Sequence, residues 1–229
     1  MSLTVGVIGG MGPAAALDFC RRLLEATPAR RDQDHLHVIL DNKPGLPDRH
    51  AAIAGTGPSP GPELARMAAG LERAGAQVLV MPCNTAHAFA DDIRRAVDIP
   101  LIDLIEATAD AAALQAPPGS RVGVLAADGC LDAGLYQRAL AARGLEALVP
   151  SADQRRRLMD VIGRVKAGDT GLTSRADARA LAAELAAQGA RLLIAACTEI
   201  PLVLGPNDVD VPLVDCTDIL VRRTLEAAA

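Results

Sequence analysis

The sequence predicts an α/β protein of two pseudo-symmetric domains, each a parallel sheet flanked by helices, with the active site in the cleft between them. Three observations carry that prediction. Short aliphatic runs alternate with helical patterns along the chain, the order in which parallel sheets are assembled. Half of the 229 residues are hydrophobic, yet only Phe19, Phe89 and Tyr136 are aromatic, so the interior is aliphatic. Finally, stretches of the first half return in the second: "GAQVLVMPCNTAH" at 75–87 as "GARLLIAACTEIP" at 189–201, and "VDIPLID" at 97–103 as "VDVPLVD" at 209–215.

The elements follow in order. "LTVGVIGGMG" is a β-branched strand breaking into glycines, and "PAAALDFCRRLLEAT" is a helix with Pro13 in its first turn. "LHVILDN" is a second strand, "GTGPSPGPE" a turn-rich loop, and "ELARMAAGLERAG" an amphipathic helix delivering the strand "AQVLVMPCN". The second half starts again at "SRVGVLAADG", continues through helical patterns in "LYQRALAARG", "RRLMDVIGRVKAG" and "SRADARALAAELAAQG", and reaches "ARLLIAACTE". Corresponding positions are offset by 117 residues at Gly6 and Gly123, 114 at Gly75 and Gly189, and 112 at Val97 and Val209. The drift is loop-sized and in one direction, as a duplicated α/β unit requires. "TDILVRRTLEAAA" is a closing helix expected to return to the first lobe, so the domains expected are 1–103 plus 216–229, and 104–215.

Composition excludes several classes of function. A net charge of −5 with scattered arginines offers no footprint for nucleic acid. No apolar stretch approaches the roughly 20 residues that span a bilayer, and "MSLTVGVIGG" has neither a basic leader nor a cleavage site, so a cytoplasmic protein is expected. Five cysteines, an odd number, point to reduced thiols rather than a disulfide framework. With no CxxC or His-rich spacing, no metal is expected.

Cys83 and Cys197 each sit where a strand ends, the place at which open parallel sheets bind ligands. Two thiols on opposite walls of one cleft would serve a two-base reaction at a stereocentre, one removing a proton and the other returning one. "CNTAH" and "CTEI" are each expected to begin a helix whose N–H groups lower the thiol toward neutrality. Asn84, Thr85 and Thr198 are placed to stabilise a carboxylate in its enediolate form.

Other features have plainer readings. Cys20, Cys130 and Cys216 read as small buried hydrophobes. "GMGPAA" at 10–15 fits a dinucleotide loop with Asp41 as the acid, which leaves the paired cysteines unexplained. A ligand-binding module of two lobes would leave them unexplained too. Lys43 and Lys166, without a family pattern, are solvated lysines; "QRRR" at 154–157 is a solvated helix face. His87 fits a helix start or a packing role, and Glu199 is left open between orienting a neighbour and capping a helix.

"GVIGGMGP", "PDR" at 47–49, "MPCNTAHAF", "VKAG" at 165–168 and "CTEIP" together resemble the aspartate racemases of the cofactor-independent aspartate/glutamate racemase superfamily, in order and spacing over nearly the whole chain. The resemblance implies a homodimer using no pyridoxal phosphate, other cofactor or metal, with Cys83 and Cys197 as bases and a small amino acid as its partner molecule. It further implies that Arg49 and Lys166 hold the substrate's side-chain carboxylate, while Met11, Gly12, Asn84, Thr85 and Thr198 line the α-carboxylate side. Racemisation of an acidic amino acid, aspartate favoured, is therefore expected. Same-fold racemases of other amino acids, maleate isomerases and decarboxylases are the alternative, although a second retained cysteine favours racemisation. Where aspartate racemases resemble "ATTGT" followed by a serine, this chain has "AADGC" at 126–130 and Ala133, and Asp128 is expected to repel a dicarboxylate.

Overall fold

The computed structural model describes residues 3–228. The chain divides into two compact units, one running through Leu104 and resuming at Thr217, the other Ile105–Cys216.

In the first unit, β1 (Val5–Gly9) leads into α1 (Pro13–Ala26), then β2 (Val38–Asn42), the short α2 (Arg49–Ile53), α3 (Gly61–Arg73), β3 (Val78–Val80) and α4 (Ala90–Arg94). The strands are parallel in the order β2-β1-β3, and Leu101, within "VDIPLID", bridges in parallel to Leu79 on the far side of β3. β1 and β3 are buried throughout, as strands covered on both faces must be, while β2 is half-buried along its length at the edge. α1 starts with Pro13, whose missing N–H costs nothing in a first turn. The short α2 is held by Asp48, whose Oδ1 accepts from the His50 and Ala51 amides.

The helix α5 (Leu104–Ala113) leads into the second unit, which contains β4 (Arg121–Leu125), α6 (Asp128–Asp132), α7 (Leu135–Ala141), β5 (Glu146–Leu148), α8 (Ala152–Lys166), α9 (Leu172–Ala187), β6 (Leu192–Ala195) and β7 (Leu213–Asp215). Its parallel order is β5-β4-β6-β7. α8 opens with a capping box in which Ser151 and Gln154 satisfy each other's backbone amides. The last helix, α10 (Cys216–Ala228), belongs to the first unit from Thr217 onward, where Asp218 accepts at 2.7 Å from Arg22 of α1.

The duplication extends to packing. A Cβ on Gly6 would stand 2.8 Å from Ala76 and Leu79 side chains and 3.2 Å from Leu71; on Gly123 it would meet Leu193, Ala190 and Leu185 at 2.5, 3.3 and 3.3 Å. All three partners are displaced by the same 114 residues. In each unit a glycine within the first strand therefore lets a helix and the third strand close over it. Gly75 and Gly189 end the preceding helices at φ of 102° and 100°, where a left-handed residue is needed. The Leu79 amide donates to Pro100 O at 2.8 Å, and Leu193 to Pro212 O at 2.9 Å.

Several short elements differ from the sequence reading. The expected helix from Glu63 begins at Gly61, because Pro62 is tolerated in a first turn. "LEALV" supplies the edge strand β5, whose exposed first residue hid its period. "QRRR" is not simply a solvated face: Gln154 is buried and bonds Glu184, Arg157 bonds the same carboxylate, and Arg155 reaches Asp128 and Asp132. Those side chains tie α8 to α9 and α6. Among the described residues, no helix is long and apolar enough to cross a membrane.

Candidate active site

In each unit the chemistry collects at the carboxyl ends of the strands. In the first, β1 runs out into Gly10, Met11 and Gly12, and β3 into Cys83, Asn84 and Thr85. Gly10 has φ +99°, and a Cβ there would lie 2.1 Å from the Lys43 carbonyl oxygen, so the loops after β1 and β2 are pressed backbone to backbone. Met11, Leu46 and Cys83 share one buried cluster, which brings the first glycine loop, the approach to α2 and the thiol together. Arg49 is the first residue of α2, half-buried, with Nη1 donating to Pro47 O at 3.3 Å, and α2 packs against the turn after Cys83. Lys43, read as solvated, instead pairs with Glu63, which also holds Arg66. Asn84 and Thr85 are buried.

His87 fastens this loop. Its Nδ1–H donates to the Cys83 carbonyl at 2.8 Å, and Nε2 accepts from the Leu104 amide at 3.1 Å. One nitrogen must donate and the other must accept, so the ring is neutral in a fixed tautomer. Burial pushes the imidazole below its ordinary value, against the opposing pull of Asp103. An unfolded chain binds a proton at this histidine below about pH 6.5 while the folded one resists it, so the contribution is present above that pH and lost on acidification. Between pH 7 and 5, wild-type stability is expected to fall relative to His87→Gln by up to about 1.4 kcal/mol per pH unit, read as urea midpoints. Parallel curves for the two proteins would refute the fixed neutral ring.

The second unit brings Cys197, Thr198 and Glu199 to the end of β6, and Ala126 to Asp128 to the end of β4. Cys197 Sγ donates to Glu199 Oε2 at 3.0 Å, and Thr198 Oγ1 reaches the same oxygen at 3.4 Å. All three residues are buried. Val165 belongs to the same buried cluster as Cys197, and the exposed Lys166 beside it ends α8. Burial pushes the Cys197 thiol well above its ordinary value, the Glu199 carboxylate adds to that, and Lys166 pulls the other way.

For Cys197 this corrects the expectation that amides beyond the strand would lower the thiol. After Cys197 the chain makes only a short 3-10 turn, Ile200–Leu202, and although the Glu199 amide pulls the thiol down, burial and the Glu199 carboxyl that accepts from Sγ outweigh it. A second correction concerns Asp128. Its Oδ1 accepts from Arg155 Nε at 2.6 Å, so a cation offsets the charge expected to repel a dicarboxylate.

Two residues of this region escape a reading of the sequence. Glu199 has no target there, although a carboxylate directly after a buried strand is itself a signal, since such a charge needs a partner. Asn42 ends β2 opposite Gly9, and its buried Oδ1 has no hydrogen-bond partner. Of the remaining cysteines, Cys130 and Cys216 are buried, and Cys20 lines a hollow of about 320 Å3 with Leu23, Leu24 and His35. Among the described residues no group of three or more His, Cys, Asp or Glu side chains could hold a metal ion.

Comparison with known proteins bears on this arrangement. The family model described as Asp/Glu/Hydantoin racemase matches residues 8–224. The broad specificity amino-acid racemase RacX of Bacillus subtilis (strain 168) is 25% identical, with 96% of each chain covered. The structure of Picrophilus torridus aspartate racemase superposes with a TM-score of 0.87 at 28% identity, covering 99% of this chain and 94% of that one. Glutamate racemase from Francisella tularensis subsp. tularensis SCHU S4, solved with D-glutamate, shares the fold with a TM-score of 0.66 at 18% identity, over 98% of this chain and 80% of that one.

Proposed function

The chain belongs to the Asp/Glu/Hydantoin racemase family, and from that premise we propose that it racemises an amino acid at the α-carbon without a cofactor, using Cys83 and Cys197 as its two bases. The observation that carries the reading is the thiol repeated at equivalent strand ends of two duplicated units. One thiolate takes the α-proton, forming an S–H bond while the Cα–H electrons pass into the carboxylate as an enediolate. The other thiol then gives its proton to the opposite face of the same carbon. The α-proton is a far weaker acid than a thiol, so donors must stabilise the enediolate at each stage. Asn84, Thr85 and Thr198, with the Met11–Gly12 loop, are the groups assigned to that task, and the unpartnered Asn42 Oδ1 is an acceptor suited to the substrate's ammonium.

The substrate proposed is an acidic amino acid, aspartate favoured. Supporting this are the aspartate racemase likeness, the cations Arg49 and Lys166 for a side-chain carboxylate, and the neutralisation of Asp128 by Arg155. Removing that cation tests the last point: Arg155→Gln is expected to raise KM for aspartate by about threefold, the effect of one partly exposed charge, with KM for alanine unchanged. An equal rise for both substrates would count against an acidic preference.

The decisive experiment incubates each enantiomer of aspartate, glutamate and several neutral amino acids with the protein in deuterated buffer and no added cofactor. Aspartate should gain deuterium at Cα and racemise fastest. No exchange with any amino acid would overturn the proposal, and turnover dependent on added nicotinamide cofactor would replace it.

A further inference from the structure

A two-thiol reaction needs one sulfur ionised and the other protonated before substrate arrives. The residues two places beyond the cysteines differ in charge, a property that bears on which is which. Thr85 follows Cys83, and Glu199 follows Cys197. A threonine hydroxyl carries no charge. The Glu199 carboxylate is buried, and its Oε2 accepts from Cys197 Sγ at 3.0 Å. A carboxylate at that distance is an acceptor for S–H and a repulsive neighbour for S−.

We propose that Glu199 is a positioning residue that keeps Cys197 protonated in the substrate-free enzyme, so that Cys83 supplies the thiolate that opens the catalytic cycle and Cys197 the proton that completes it. This rests on the two-base reading and adds to it a direction. The enantiomer whose α-hydrogen faces Cys83 meets an enzyme ready to act. Its turnover leaves Cys83 as S–H and Cys197 as S− beside the Glu199 carboxylate, two anions in contact. That form regains its resting state when solvent returns a proton to Cys197 and removes one from Cys83. The charged groups acting on Cys197 are Glu199 on its own loop, which with burial raises the thiol, and Lys166 from the end of α8, which opposes them. Solvent access does not separate the two sulfurs, since Cys83 is 6% and Cys197 7% exposed.

Because racemisation has an equilibrium constant of one, kcat/KM is the same for both enantiomers wherever the resting proton lies. Its placement shows instead as unequal KM values, matched by unequal kcat values.

The test alkylates the full chain without substrate, using iodoacetamide from pH 6 to 10, and follows the two cysteines separately by peptide mass spectrometry. Cys83 is expected to react at lower pH than Cys197. Glu199→Gln keeps the size and removes the charge, and should lower the Cys197 midpoint by about 1–3 pH units, the effect of a like charge in contact, leaving Cys83 unmoved. Glu199→Asp keeps the charge and should keep the higher midpoint. In racemisation, Glu199→Gln should change the ratio of the two enantiomers' KM values by at least about threefold while the kcat/KM values stay equal.

An unmoved Cys197 midpoint in Glu199→Gln overturns the proposal, as does a parallel shift of both cysteines or a wild-type enzyme in which Cys197 reacts first. A wild-type protein that exchanges no α-hydrogen defeats the two-base reading instead, and leaves the alkylation order to be read separately.

Discussion

Replacing Cys83 or Cys197 by serine is expected to slow racemisation by at least about a thousandfold, with the fold intact. Serine nearly matches cysteine in size, and both side chains are buried at strand ends, so little is lost in packing. What is lost is an acid-base group: a hydroxyl is several pKa units weaker as an acid than a thiol and is not ionised near neutrality. Each variant retains one thiol, which still removes and returns a proton from its own face of the carbon. In deuterated buffer, Cys197→Ser should therefore exchange the α-hydrogen of one enantiomer, and Cys83→Ser that of the other once the pH is high enough to ionise Cys197, neither inverting it. The double variant should exchange neither. The readout is the deuterium content of each recovered enantiomer. Two single variants that label the same enantiomer, or one that still racemises at near the wild-type rate, would show that the two sulfurs do not divide the reaction.

The mirrored outcome derives from a duplication that the sequence states openly. Gly6 and Gly123 are glycines for one reason, the close approach of Leu71, Ala76 and Leu79 in one unit and of Leu185, Ala190 and Leu193 in the other. Residues that pack by period and proximity leave a repeating trace, so strand ends, helix ends and both cysteines were legible. Side chains that act across the fold leave no such trace. Arg155 and Asp128 lie 27 residues apart, and neither periodicity nor composition pairs them; the arginine therefore reads as solvated and the aspartate as a bare charge. The turns after the cysteines read as helix starts because small polar residues suit either structure. In the first unit, the fixed His87 ring holds the Cys83 carbonyl; in the second, Pro201 takes the place of that histidine and begins no long helix. Glu199 shows the limit most directly, since only coordinates reveal that its carboxylate turns back onto the sulfur two residues before it.

Gly10→Ala is expected to be the most damaging change outside the two thiols, and its cause is backbone geometry rather than chemistry. At φ +99° any side chain is strained, and the new Cβ would stand 2.1 Å from the Lys43 carbonyl oxygen and 2.3 Å from its carbon. Neither atom is the end of a flexible side chain, so the loops after β1 and β2 must separate. Strain and overpacking together cost about 3–6 kcal/mol, a large share of the roughly 5–15 kcal/mol that holds a folded chain together. Tm should fall by about 6 °C or more, measured by circular dichroism against Gly45→Ala, where a Cβ meets nothing within 4 Å. The same separation displaces Met11, which shares a buried cluster with Cys83, so residual Gly10→Ala protein below its Tm should show a raised KM as well. A Gly10→Ala protein that melts with Gly45→Ala would mean that the two loops are not in backbone contact, and the first unit would then lack the framework that sets Met11 beside the thiol.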